Sequence, residues 1–116
     1  MTNRVELIGN LANDIKYYPI KNNEEMACFS VATNETYRNS NGEKESIADY
    51  HDVIIFNRYL VKLSKNIAKG DRVHIVGKLK HNSFIDKNGE KSYRTNVVID
   101  NAGLLNVIKK FQQEDF

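Results

Sequence analysis

Four aromatic rings, Tyr37, Tyr50, Phe56 and Phe84, stand in or at the edge of stretches that could display them rather than bury them. Tyr37 lies in the polar segment 34–49 and Phe84 in the polar segment 81–93, where no core is expected. A ring held on a polar surface is a stacking platform. One nucleobase laid on it is worth roughly 1–3 kcal/mol, whatever its sequence. Tyr50 and Phe56 bound a strand-like run; the Tyr50 hydroxyl favours water or a polar partner, whereas Phe56 suits either a core or a platform.

The cations that could accompany these rings are Arg4, Arg58, Lys62, Lys69, Lys80, Lys87, Lys91 and Arg94. The formal net charge is only +2, but residues 57–94 hold ten Lys/Arg against three Asp/Glu, while residues 1–56 hold five against nine. A basic block in a nearly neutral chain fits a polyanion surface, although the same lysines could simply be solubilising charge. Cations set beside phosphates release condensed counterions, giving salt-sensitive affinity that does not depend on sequence. Rings and cations without an Asn/Gln/Arg cluster on one helix favour single-stranded nucleic acid over duplex reading.

Catalytic chemistry finds little support. His51, His74 and His81 lack metal-ligand spacing, and Cys28, in an apolar run, is expected in the core. Asp49 and Asp52 flank His51, yet the two carboxylates point to opposite faces of a strand. The glycines are isolated, so no phosphate-cradling loop is present. We therefore expect no enzyme activity, cofactor, metal or small-molecule substrate. No apolar run approaches the ~20 residues of a membrane helix, and the first residues enter a strand pattern directly. Those features predict a soluble, intracellular protein, cytoplasmic in a bacterium or the mature form in an organelle.

The elements that must position these residues are mainly strands. Period-two alternation marks Arg4–Leu11, Met26–Thr33, Tyr50–Phe56, Arg72–Lys80 and Tyr93–Asp100, with Gly9 placed for a bend. Between the third and fourth strands the period changes. Leu60, Leu63 and Ile67 recur at helical spacing, predicting a short helix over 58–69 that Gly70 stops. Asn88-Gly89 predicts a protruding hairpin over 81–93, and Asn39–Glu45 a second turn-rich loop. The fold class is thus all-β, with five strands, one helix between strands 3 and 4 and a hairpin between strands 4 and 5. That is the order of an OB-fold Greek-key barrel, whose outer face and loops commonly bind oligonucleotides.

The chain resembles the bacterial and mitochondrial-type single-stranded-DNA-binding protein (SSB) family over roughly residues 3–105. The matching stretches are Asn3–Leu11, Phe29–Glu35, Tyr50–Phe56, Lys69–Val73, Val76–Leu79 and Phe84–Gly89 with Tyr93. Their order and spacing carry the resemblance. It implies sequence-independent binding and protection of single-stranded DNA during replication, recombination and repair. It places base stacking on Tyr37, Tyr50, Phe56 and Phe84, and family basic positions on Arg4, Arg58, Lys69 and Lys80. It also implies a homotetramer with His51 at a subunit interface. The chain departs from the family pattern in having Tyr37, Tyr50 and Phe84 where tryptophan is common, Asp52 where a basic residue is common, and Lys80-His81-Asn82-Ser83 before the hairpin ring. Smaller rings and fewer cations imply weaker affinity and a shallower salt dependence.

The expected organisation is an OB domain over residues 1–105 and a short tail over 106–116. Glu114, Asp115 and Phe116 resemble the acidic, phenylalanine-ended tip with which longer relatives recruit replication and repair proteins; an ordinary polar terminus is the other reading. The competing functional reading is an OB-fold replication adaptor of the primosomal type, acting mainly through protein contacts.

Overall fold

A computed structural model describes residues 1–110. In chain order the elements are β1 (Val5–Leu11), β2 (Lys16–Pro19), a 3-10 turn (Lys21–Asn23), β3 (Glu25–Arg38), β4 (Lys44–Ile55), α1 (Arg58–Ser64), β5 (Arg72–Ile85), β6 (Lys91–Ile99) and β7 (Leu104–Lys109). β1, β3, β4, β6 and β5 follow one another round a barrel that closes where β5 pairs back onto β1. The ladders are antiparallel except β4–β6, which runs parallel. This is the expected five-stranded OB barrel with one helix.

Alternation decides what the barrel encloses. Ala27, Phe29 and Val31 of β3, Val53 and Ile55 of β4, Val73 and Ile75 of β5, and Val97 and Ile99 of β6 are all buried. Every second residue points inward on a strand, so each stretch delivers one apolar file to the core. Cys28 falls on the other file. It is half-buried on the outside of β3 and not in the core, because its neighbours Ala27 and Phe29 take the inward positions.

Two strands change partners. β1 pairs with β5 over Val5–Asn10 and with β3 at Asn10 and Leu11. A Cβ on Gly9 would run into the Ala32 carbonyl and the Val31 side chain, so the crossing needs glycine. Gly77 plays the same part on β5, where a Cβ would lie 2.5 Å from the Val98 carbonyl oxygen.

The helix is shorter than its periodicity predicted. Asn57 caps it by accepting from the backbone N–H groups of Tyr59 and Leu60. After Ser64 the chain goes on in tight turns, with Asn66 N–H bonded to Leu63 and Ile67 N–H to Ser64. These i→i−3 bonds continue a roughly helical spacing without an α-helix. Val61, Ser64 and Ile67 face the barrel, and Leu63 stands exposed.

Both expected loops are largely strand. β3 and β4 stay paired to Arg38 and Lys44, and β5 and β6 to Ile85 and Lys91, so each forms a two-stranded arm beyond the barrel. Alternation hid the arms because both of their faces meet water and neither needs to be apolar. Two strands went unforeseen: β2, four residues long, and β7, which pairs with β5. β7 runs to Lys109, across the domain end expected at residue 105. Lys110 then ties the chain to the turn after α1. Its ammonium donates to the Asn66 carbonyl at 2.6 Å and to buried Asp71 at 2.5 Å. The tail residues Glu114, Asp115 and Phe116 lie outside the described residues.

Candidate nucleic-acid interface

The outer file of each strand builds the surface of interest. Register sets Ser30 opposite Asp52 and Cys28 opposite Ile54 across β3–β4. It sets Ile54 beside Val98 across β4–β6. Lys80 then faces Asn96, Asn82 faces Arg94 and Phe84 faces Ser92 across β5–β6. Side chains of one file share a face, so these residues form one continuous outer sheet surface.

Two hollows divide it. One, of about 320 Å³, is lined by Ile54, Phe56, Lys78, Lys80, Asn82, Val98 and Asp100. The other, of about 400 Å³, lies between the β1–β3 connection and β6, with Asn13, Lys16, Tyr18, Ser30, Asp52, Arg94 and Asn96 among its lining residues. Phe56 is therefore an exposed wall of a groove and not core, which resolves the two readings its sequence position allowed. Phe84 is 44% exposed, with the Arg94 guanidinium 5.5 Å from its ring centre. Tyr50 lies on the same outer file of β4 and is 67% exposed. Tyr37 sits on the opposite face of the β3–β4 arm, an odd number of register steps away. Its hydroxyl donates to Glu45 Oε2 at 2.6 Å. That bond holds the Tyr37 phenol above its ordinary pKa; the same bond, followed by one from Asn39, holds the Glu45 carboxyl below its own.

The eight cations do not converge. Lys80 and Arg94 stand on the outer face beside Phe56 and Phe84. Arg4 lines a neighbouring hollow that shares Lys78 and Asp100 with the Phe56 groove. Lys87 lies in the exposed turn of the β5–β6 arm, and the Lys91 ammonium lies 5.6 Å from the Tyr93 ring centre. Arg58 is paired with Glu24 at 2.7 Å and shares with Lys62 a groove between α1 and the Lys21–Asn23 turn. The exposed Lys69 lies by the β1–β2 connection, its backbone N–H bonded to Asp14.

Sequence reasoning missed several residues of this face. Lys78 and Asn82 share a file with Lys80 and Phe84, so strict counting by twos from Phe84 would have found them. Lys16 and Tyr18 sit on the short strand β2, which gave no pattern to count. Asn96 follows Arg94-Thr95 and stands just before the apolar run Val97–Ile99, so nothing local set it apart. Lys78 pairs with Asp100 at 3.0 Å; the Ala102 backbone N–H, and then Lys78, hold the Asp100 carboxyl below its usual range. His51 is half-buried, with Nε2 2.8 Å from Thr33 Oγ1. Burial, and then the nearby Asp52, push the Cys28 thiol up, so it stays protonated and a poor nucleophile.

A model of the single-strand binding protein family matches residues 2–105. The chain belongs to that family. It is 31% identical over 105 residues to single-stranded DNA-binding protein 1 of Staphylococcus aureus strain MSSA476, a match covering 90% of this chain. The corresponding protein of strain Mu50 is 30% identical over the same length. The match spans 66% of the length of these relatives, just under two thirds. A solved structure of a Plasmodium falciparum SSB in complex with ssDNA superposes with a TM-score of 0.86 at 28% identity. That superposition covers 94% of this chain and 97% of the other. Family membership and the barrel thus agree, and among the described residues no helix is long and apolar enough to cross a membrane.

Proposed function

We propose that this family member binds single-stranded DNA without strong sequence preference and shields it during replication, recombination and repair. The observation that carries the reading is the outer sheet face, where exposed Phe56 and Phe84 share a surface with Lys80 and Arg94. Bases stack on the rings while the cations neutralise phosphates, and neither contact depends on base identity. Tyr50 extends this track along β4. Tyr37 serves a strand that passes over the edge of the β3–β4 arm, since its ring lies on the other face. Lys78 joins the cations of the track, and Arg4 extends it past the Lys78–Asp100 pair. Arg58, Lys62 and Lys69 contribute only where DNA continues past α1, and Lys87 and Lys91 where it crosses the β5–β6 arm.

The action is passive. A strand held in the groove cannot re-pair, and no catalytic step is involved. Assembly as a homotetramer, with His51 at a subunit contact, would let one strand wrap several barrels. The tip Glu114-Asp115-Phe116 would then offer a docking segment to replication and repair proteins. The work belongs where DNA is opened, in a bacterial cytoplasm or an organelle.

The test is a titration of labelled oligo-dT of about 35 and about 70 nucleotides, lengths scaled from the ~4–16 nucleotides held per OB-fold. Matched duplex and several salt concentrations complete it. Tight, salt-sensitive binding to the single strands with duplex far weaker is expected. Weak or equal binding to both would move the assignment to the adaptor role.

A further inference from the structure

The solvent side of α1 carries a ridge that the stacking track does not use. Tyr59 is 80% exposed and Leu63 41%, although both are large hydrophobic side chains. Four residues apart on a helix, they stand next to each other, and Lys62 lies beside Tyr59 at a spacing of three. The ridge faces away from the barrel, since Val61 and Ser64 take the inward side. Among the described residues nothing pairs with the Lys62 ammonium, whereas its neighbours Arg58 and Lys65 are held by Glu24 and Glu25.

The described chain ends close to this ridge. The Lys110 ammonium donates to the carbonyl of Asn66, two residues beyond the end of α1. The next six residues are Phe111-Gln112-Gln113-Glu114-Asp115-Phe116. Six extended residues reach about 20 Å. The way back from Asn66 to Tyr59, at helical rise, is only about 10 Å. The segment has a ring at each end and two carboxylates before the second ring. That is the complement of an apolar ridge bearing an unpaired lysine.

We propose that residues 111–116 dock on α1 of their own chain, with the Phe116 ring against Tyr59 and Leu63 and with Glu114 and Asp115 beside Lys62. Covering exposed apolar surface drives the contact, and the ion pair orients the segment. The short connection favours it further. Tethering gives an effective concentration on the order of millimolar, enough to populate a contact too weak to hold a free peptide. α1 thereby sets how available the tip is. A protein that takes Glu114-Asp115-Phe116, or a strand that continues past α1 to Lys62, must displace the docked segment. Docking itself does not depend on the single-strand binding proposed above.

The chain has no tryptophan, so Phe116→Trp supplies a single reporter. Its emission and acrylamide quenching are measured in the full chain without DNA, beside a peptide of residues 110–116 carrying the same change. The reporter should emit further to the blue in the full chain and be quenched less than in the peptide. In that background Lys62→Glu should lower the docked-to-free ratio about fivefold, the scale of one exposed charge contact. Leu63→Ser should lower it as well, with circular dichroism reporting the fold of each variant. Adding Glu114→Lys and Asp115→Lys to Lys62→Glu should restore docking, which damage to α1 alone would not allow. Peptide-like emission from the full chain would overturn the inference. A docked signal that both α1 variants leave unchanged would also overturn it, and its loss in Lys80→Glu with Arg94→Glu would move the segment to the outer face. A signal that grows with protein concentration would overturn docking within one chain and assign the contact to a second copy. Because no DNA enters the measurement, failure of docking would leave the single-strand reading standing, and failure of that reading would leave docking standing.

Discussion

Phe84→Ala removes one of the rings of the proposed stacking track. The ring is 44% exposed at the root of the β5–β6 turn, and Arg94 approaches it to 5.5 Å from its centre. The guanidinium and the hairpin leave only part of the ring for a base, and phenylalanine offers less area than tryptophan. The loss therefore belongs in the lower half of the stacking range, about 1–2 kcal/mol per occupied barrel, or roughly 5–30-fold in Kd. Global stability should move by less than about 0.5 kcal/mol, because the site is on an arm outside the core. Titration of labelled oligo-dT at fixed salt measures the first quantity and urea unfolding the second. Phe84→Leu separates stacking from mere packing under Arg94, since leucine keeps apolar bulk without a flat π-face. A Phe84→Ala affinity within twofold of wild type would remove the ring from the site. Full rescue by leucine would make it a support for Arg94 instead.

Three further outcomes follow from the geometry. Lys80→Gln and Arg94→Gln should each flatten the slope of log affinity against log salt by about 0.7, whereas Arg58→Gln, whose charge is already engaged by Glu24, should change it much less; equal effects from all three would mean that the outer-face cations and Arg58 meet the strand alike. Lys110→Met leaves the carboxylate of Asp71, 1% exposed, without its ammonium. Loss of a fully buried pair costs about 3–5 kcal/mol, and because the lysine is half-exposed and water can replace it, we expect about 1–3 kcal/mol in a urea melt; an unchanged midpoint would mean that the anchor of β7 carries no stability. The depressed Glu45 pKa contributes stability that is present above the unfolded glutamate value and lost as pH falls through the lower, folded value. The end of the β3–β4 arm should accordingly hold until pH drops below the ordinary glutamate range, and Tyr37→Phe should move the Glu45 midpoint upward in an NMR titration; a midpoint indifferent to that change would rule out the Tyr37–Glu45 bond in solution.

Legibility in the sequence followed burial. Where one face of a strand is in the core, apolar residues must alternate, so the five barrel strands and their inward files could be read directly. The arms escaped because Asn34–Arg38 and Asn82–Ile85 are solvated on both sides and carry no such signature. Exposed rings were legible for the converse reason: Tyr37 and Phe84 sit among polar residues that offer nothing apolar to bury them. Cys28 was misplaced only because composition was weighed over parity.

The sequence by itself determined the five barrel strands along the chain, their inward residues, the turn at Asn88-Gly89 and the set of rings and cations available for binding. All of these depend on residues within a few positions of one another. Only the tertiary structure decided that Lys80 and Arg94 join Phe56 and Phe84 while Arg58 is held by Glu24, that Tyr37 and Tyr50 face opposite ways, and that Asn96 opens into a hollow with Asp52. Those outcomes depend on register between segments tens of residues apart, such as Ser30 with Asp52 and Lys80 with Asn96. A shift of one residue in either ladder would exchange the faces and dissolve the site without altering a single local pattern.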